Sequence, residues 1–211
     1  MTSIEEQWPK GTPERAVADA FSAFRRRDVA RLAAGATPAS IRALAARLLR
    51  EIDTRDSQTP ASSTDELTDS QAVSILGRFV ARLPKGFTDS VRCHIVGHVL
   101  ESRLAYDGTR DGRGFLWLEC RVTGAADEWI SVDGDPQAYR EIANRVAGLA
   151  HVVCRLDLEF PGRDIIPLSP LEIVTTQLVG GEWKLVMDEE SIGVPGFRGI
   201  GLSTTEAASD E

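Results

Sequence analysis

The sequence predicts an α+β fold, with three N-terminal helices packed on a curved antiparallel sheet. Two patterns carry this. Apolar residues recur at helical spacing up to about residue 83, and alternate with polar residues after Val91. The third observation is the stretch Leu171–Asp188, LEIVTTQLVGGEWKLVMD, two alternating runs joined by Gly180-Gly181. Two glycines supply the positive φ that a two-residue hairpin turn requires. This turn pairs Val179 with Glu182, Leu178 with Trp183, Thr176 with Leu185 and Val174 with Met187. The last three pairs share one nearly apolar face. Gln177 with Lys184 and Thr175 with Val186 share the other.

Residues 1–11 read as a flexible arm. Thr12-Pro13-Glu14 opens the first helix, with Thr as cap, Pro at the first helical position and an acid in the first turn. Its stripe is Val17, Ala20, Phe21 and Phe24, and it ends near Arg27-Asp28. A short helical turn at Val29–Ala33 is broken by Gly35. Thr37-Pro38 opens the second helix, carrying Ile41, Leu44, Ala45, Leu48, Leu49 and Ile52. Asp53–Asp65 is polar and aperiodic, which predicts a flexible loop at about 53–66. Thr68 and Gln71 form a capping box for a third helix with Val73, Leu76, Phe79, Val80 and Leu83, stopped by Pro84-Lys85-Gly86.

Strands are predicted at Val91–Glu101, Phe115–Thr123 and His151–Phe160, with a loop at Tyr106–Gly114. Residues 136–148 fit either a helix, from Asp135-Pro136 to Gly148, or a strand through Tyr139–Val146. Pro161–Pro170 reads as a loop, and residues 191–211 as a loose tail. One domain over 12–190 accounts for the whole pattern.

Composition narrows the function classes. The chain has 211 residues, 42% hydrophobic and 27% charged, with net charge −8. An acidic chain of this kind lacks the clustered cations of a nucleic-acid surface. Arg25-Arg26-Arg27 is the one dense basic run, and it suits a helix C-terminus. No stretch has the length and apolarity of a membrane span or signal peptide. Three widely spaced cysteines, Cys93, Cys120 and Cys154, read as reduced thiols of a cytoplasmic protein.

The polar residues of the strands are the candidate chemistry. His94 and His98, four apart on a strand, would stand about 13 Å from each other, too far to share a metal. Arg155 and Asp157 share a strand face with His151. Apolar faces at Cys93/Ile95/Val99, Leu116/Leu118/Cys120/Val122 and Val152/Cys154/Leu156/Leu158 are read as one dry side covered by helices. His94, His98, Arg121, Arg155 and Asp157 then fall on the outer side, as a solvated face or an interface. Neither Asp107–Gly112 nor Gly112–Gly114 has the spacing of a calcium or phosphate loop. No cysteine has a histidine on its own side to activate it.

Three stretches resemble the NTF2-like superfamily, also known as the SnoaL-like or cystatin-like α+β cone. They are ERAVADAFSAFRRRDVARL, AHVVCRLDLEF and EIVTTQLVGGEWKLVM. The resemblance implies a cone between helices and sheet, lined by Phe21, Phe24, Cys154, Leu156, Trp183 and Leu185. It also implies dimerisation through the outer sheet face. The isomerases of that superfamily use a Tyr with two carboxylates, and its epoxide hydrolases use Asp-Arg-Asp sets. Neither constellation can be placed on this chain residue by residue. The expectation is therefore a non-catalytic protein holding a small apolar ligand or a protein partner, without metal or cofactor. The alternative is a small-molecule isomerase, dehydratase or hydrolase, with an acid or base drawn from Asp133, Asp135, Tyr139 or the long loop.

Overall fold

The computed structural model describes residues 7–53, 67–108, 114–132, 139, 142–143, 146–160, 162, 165–167 and 171–186. The flexible loop expected at 53–66, the tail, the Val174–Met187 pair, Asp133 and Asp135 lie wholly or largely outside them.

Among the described residues, five helices precede the sheet: α1 Pro13–Arg25, α2 Val29–Ala34, α3 Pro38–Asp53, α4 Asp69–Arg82 and α5 Lys85–Ser90. Their starts follow local chemistry. The Thr12 hydroxyl accepts from Arg15 N, Asp28 accepts from Arg31 N, and Thr68 with Gln71 closes a reciprocal capping box. Thr37 Oγ1 accepts from Ser40 N at the head of α3. Pro84 ends α4, but the chain does not pass straight into a strand, because α5 intervenes.

The strands are β1 Val91–Gly108, β2 Gly114–Val122, β3 Ala125–Val132, β4 Leu149–Leu158, β5 Ile166–Pro167, β6 Glu172–Val179 and β7 Glu182–Leu185. All pair antiparallel in the order β3-β2-β1-β4-β6-β7, and the short β5 pairs with the end of β4. The fold is thus α+β with an open antiparallel sheet. The closing hairpin has the register expected from its glycines, which sit at φ 61° and 87°. The edge of β7 is covered by the α2–α3 link, through Leu185 N to Gly35 O and Thr37 N to Leu185 O, each 2.9 Å.

The structure departs from expectation in several segments. β1 continues to Gly108 and pairs with β2 as far as Gly114, so no loop begins at Tyr106. β3 occupies a segment without clean alternation. Tyr139, Ile142 and Ala143 are helical, which excludes a strand there. β5 lies within the expected Pro161–Pro170 loop.

The larger correction concerns the faces of the sheet. β1 pairs with β4 through His98, then with β2 from Val99 onward. It carries an extra residue at Val96, between the Ile95–Cys154 and Gly97–Val153 pairs, and another at Leu100. Each bulge reverses the facing of the residues beyond it and turns the strand. The sheet therefore buries two cores. Helices α1, α3 and α4 pack Val17, Phe21, Phe24, Leu44, Leu48, Leu76 and Val80 on Val91, Ile95, Val152, Cys154, Leu156, Val174 and Leu185. Leu118, Cys120, Val122, Val132 and Ile142 pack with Val153 in the second. Val152 and Val153 alternate on one strand, so these cores lie on opposite faces of β4. The dry sides of β2 and β4 are not one continuous face.

Candidate functional site

The two bulges also open a cleft. Past His98, β1 leaves β4 to follow β2, while Leu149–His151 of β4 pair only with β6. Between the parting strands lies a cavity of about 670 Å³. Its walls are Val99–Ser102 of β1, Leu149–His151 of β4, Trp129 of β3, Ile142, Ala143 and Val146 above, and Pro13 and Trp183.

His98 stands at the fork. The Val96 bulge turns it toward α1, on the same side as its pair partner Val152. This corrects its placement on the outer face. There it meets Glu14, which is 2% exposed in the first turn of α1. Glu14 Oε1 accepts from His98 Nδ1 at 2.7 Å, from the His98 backbone N–H at 3.1 Å and from the Thr123 hydroxyl at 2.8 Å. The His98 N–H is shared with Thr123 Oγ1, also at 3.1 Å. Burial by itself would raise the Glu14 pKa. Hydrogen bonds from His98, from its own backbone amide and from Thr123 outweigh it and hold the carboxyl at about 2. An ionised carboxylate only accepts, so the His98 ring presents Nδ1–H to Glu14.

Two glycines make this contact sterically feasible. A Cβ on Gly124 would come 1.9 Å from the Val96 carbonyl oxygen, and one on Gly97 would come 2.5 Å from Thr123 Oγ1. Gly97 also takes φ 150°, on the bulge. The β2–β3 turn can therefore press against β1 and bring Thr123 to Glu14.

His151 lines the opposite wall. Its Nδ1 lies 3.0 Å from Thr175 Oγ1, its directly paired neighbour on β6. Burial pushes its pKa down, which favours the neutral ring. The cleft thus has one imidazole braced by a buried carboxylate and one kept neutral by desolvation.

The expected site residues separate into distinct groups. Phe21, Phe24, Cys154, Leu156 and Leu185 are buried in the helix-side core. Trp183 is half-buried and lines the cleft. His94 and Arg155 reach the same oxygen of Asp157, at 3.1 and 3.0 Å. Asp157 itself is 1% exposed and so is not part of a solvated face. Arg121 lies elsewhere, donating to the Ala126 carbonyl and pairing with Glu101 beside Trp129. In the sequence Glu14 reads only as a helix-start acid. The glycine inside a strand pattern at Gly97 is the available signal for the bulge.

Among the described residues no group of three or more His, Cys, Asp or Glu side chains is arranged to hold a metal ion. None of the described helices is long and apolar enough to cross a membrane. The chain has no significant match to a protein-family model, a curated protein or a solved structure.

Proposed function

We propose that this chain binds a small, largely apolar molecule in the cleft at the sheet fork and moves a proton on it. His98 is the acid–base group and Glu14 its positioning residue. The observation that carries this reading is the 2.7 Å bond from His98 Nδ1 to a buried, ionised carboxylate at the wall of a ligand-sized cavity. Glu14 fixes the tautomer, leaves Nε2 to accept a proton, and stabilises the imidazolium that results. Neutral His151 supplies a hydrogen bond to a polar atom of the ligand. Val99, Leu100, Ile142, Leu149 and Trp129 favour an apolar body. Isomerisation, dehydration and hydrolysis all need such a proton transfer. NTF2-like kinship belongs to the same proposal, supported by the helices on a bent antiparallel sheet and the closing Gly-turn hairpin. The cleft, however, lies at the fork and not behind Phe21 and Phe24.

The test is exchange of the hydrogens next to the carbonyl of a small cyclic ketone for solvent deuterium, monitored by NMR. The protein should accelerate it. His98→Gln should remove about a hundredfold of the acceleration, the usual scale of general-base catalysis. Equal rates for wild type and His98→Gln would overturn the reading.

A further inference from the structure

Thr123 stands in the β2–β3 turn and is exposed, so core packing makes little demand on its side chain. A threonine in a turn ordinarily bonds its own neighbouring backbone. Here the hydroxyl reaches residues 25 and 109 positions away. The Thr123 backbone N–H donates to the His98 carbonyl at 3.0 Å. The hydroxyl oxygen accepts from the His98 backbone N–H at 3.1 Å, and the hydroxyl donates to Glu14 Oε1 at 2.8 Å. A hydroxyl has one proton to give, and the ionised Glu14 can only accept it, so the direction of both bonds is fixed. The β-branched side chain is stiff at χ1, which holds that direction. Thr123 thus grips both main-chain groups of His98 and the carboxylate oxygen that meets its ring.

We propose that Thr123 is a second positioning residue for His98, acting through Glu14. Its hydroxyl pins Oε1 in line with Nδ1, while its backbone fixes the strand position from which the imidazole projects. It works from outside the cleft wall and does not touch the ligand. Its part in proton transfer rests on the acid–base reading of His98; its hold on the ring does not.

The test compares Thr123→Val, which keeps the shape and loses the hydroxyl, with Thr123→Ser, which keeps the hydroxyl. The first readout is the pair of ring nitrogen-15 shifts of His98, recorded once the ring has lost its charge. The chain has three histidines, and His98→Gln assigns the signals. Wild type and Thr123→Ser should show the proton on Nδ1. Thr123→Val should show it shared between the two nitrogens, because the carboxylate is no longer pinned. The second readout is the ketone exchange, which Thr123→Val should slow about tenfold, the size of one hydrogen bond to a charged group, and Thr123→Ser should restore. A Thr123→Val protein with the wild-type nitrogen pattern would overturn the proposal. Equal losses in Thr123→Val and Thr123→Ser would overturn it too, since they would not follow the hydroxyl. A wild type with the expected nitrogen pattern but no ketone exchange would remove the acid–base reading and leave the hold of Thr123 on the ring standing.

Discussion

Replacing Glu14 by Gln tests the centre of the cleft through its stability. The carboxyl sits at about 2 instead of its ordinary 4.5. At 1.36 kcal/mol per unit, that difference corresponds to ~3 kcal/mol of folding stability. His98 is about one-third exposed on its side chain, so solvent screening reduces the figure to roughly 1–2 kcal/mol. The sign follows from the lowered pKa. The contribution is complete above about 4.5, the unfolded value, and disappears as pH falls toward about 2. Glu14→Gln keeps the shape but faces three donors with a neutral amide. Urea unfolding of wild type and variant, at a series of pH values, should show the variant less stable by roughly 1–2 kcal/mol at neutrality. The gap should narrow as acid protonates the wild-type carboxyl. A gap that is absent at neutrality, or that stays constant down to the lowest pH at which both proteins fold, would refute the buried ionised carboxylate.

Two further outcomes come from the packing. Gly124→Ala places a methyl against the Val96 carbonyl, a backbone group that cannot swing aside. It should cost ~3 kcal/mol or more by thermal or urea denaturation, above an ordinary overpacking penalty, and an unchanged midpoint would contradict the close approach. The thiols should be slow toward Ellman's reagent in the folded protein. Burial pushes Cys120 up to about 12, and burial together with a hydrogen bond to Cys154 raises Cys93. Reaction should become fast only on unfolding, and rapid native labelling of any of the three would count against this.

The features legible in the sequence are local ones. The helix starts at Thr12, Thr37 and Thr68 depend on side chains within a turn of themselves, and the last hairpin depends on two adjacent glycines. The features hidden from the sequence depend on distant partners. Glu14 makes its bonds to residues 84 and 109 positions away. Its local role, an acid in a first helical turn, is sufficient to account for it and so masks the other. Val96 and Leu100 are good strand residues and give no sign of being supernumerary. Counting pleats straight through them puts His98 on the wrong side. β3, AADEWISV, is an edge strand with an irregular register to β2, so it lacks the alternation that reveals the others.

The Val96 bulge implies an uneven tolerance to genetic change. Conservative replacement of Val96 keeps the count of residues, and with it the side on which His98 emerges. Deletion of Val96 would restore an even pleat and carry His98 to the opposite surface with every functional group still encoded. The same holds in reverse for an insertion between Val91 and Ile95. Along this strand, frame-preserving losses and gains of single codons threaten the cleft more than most point substitutions do. In divergent sequences, strand length between α5 and the Thr123-Gly124 turn is then a more telling quantity than residue identity.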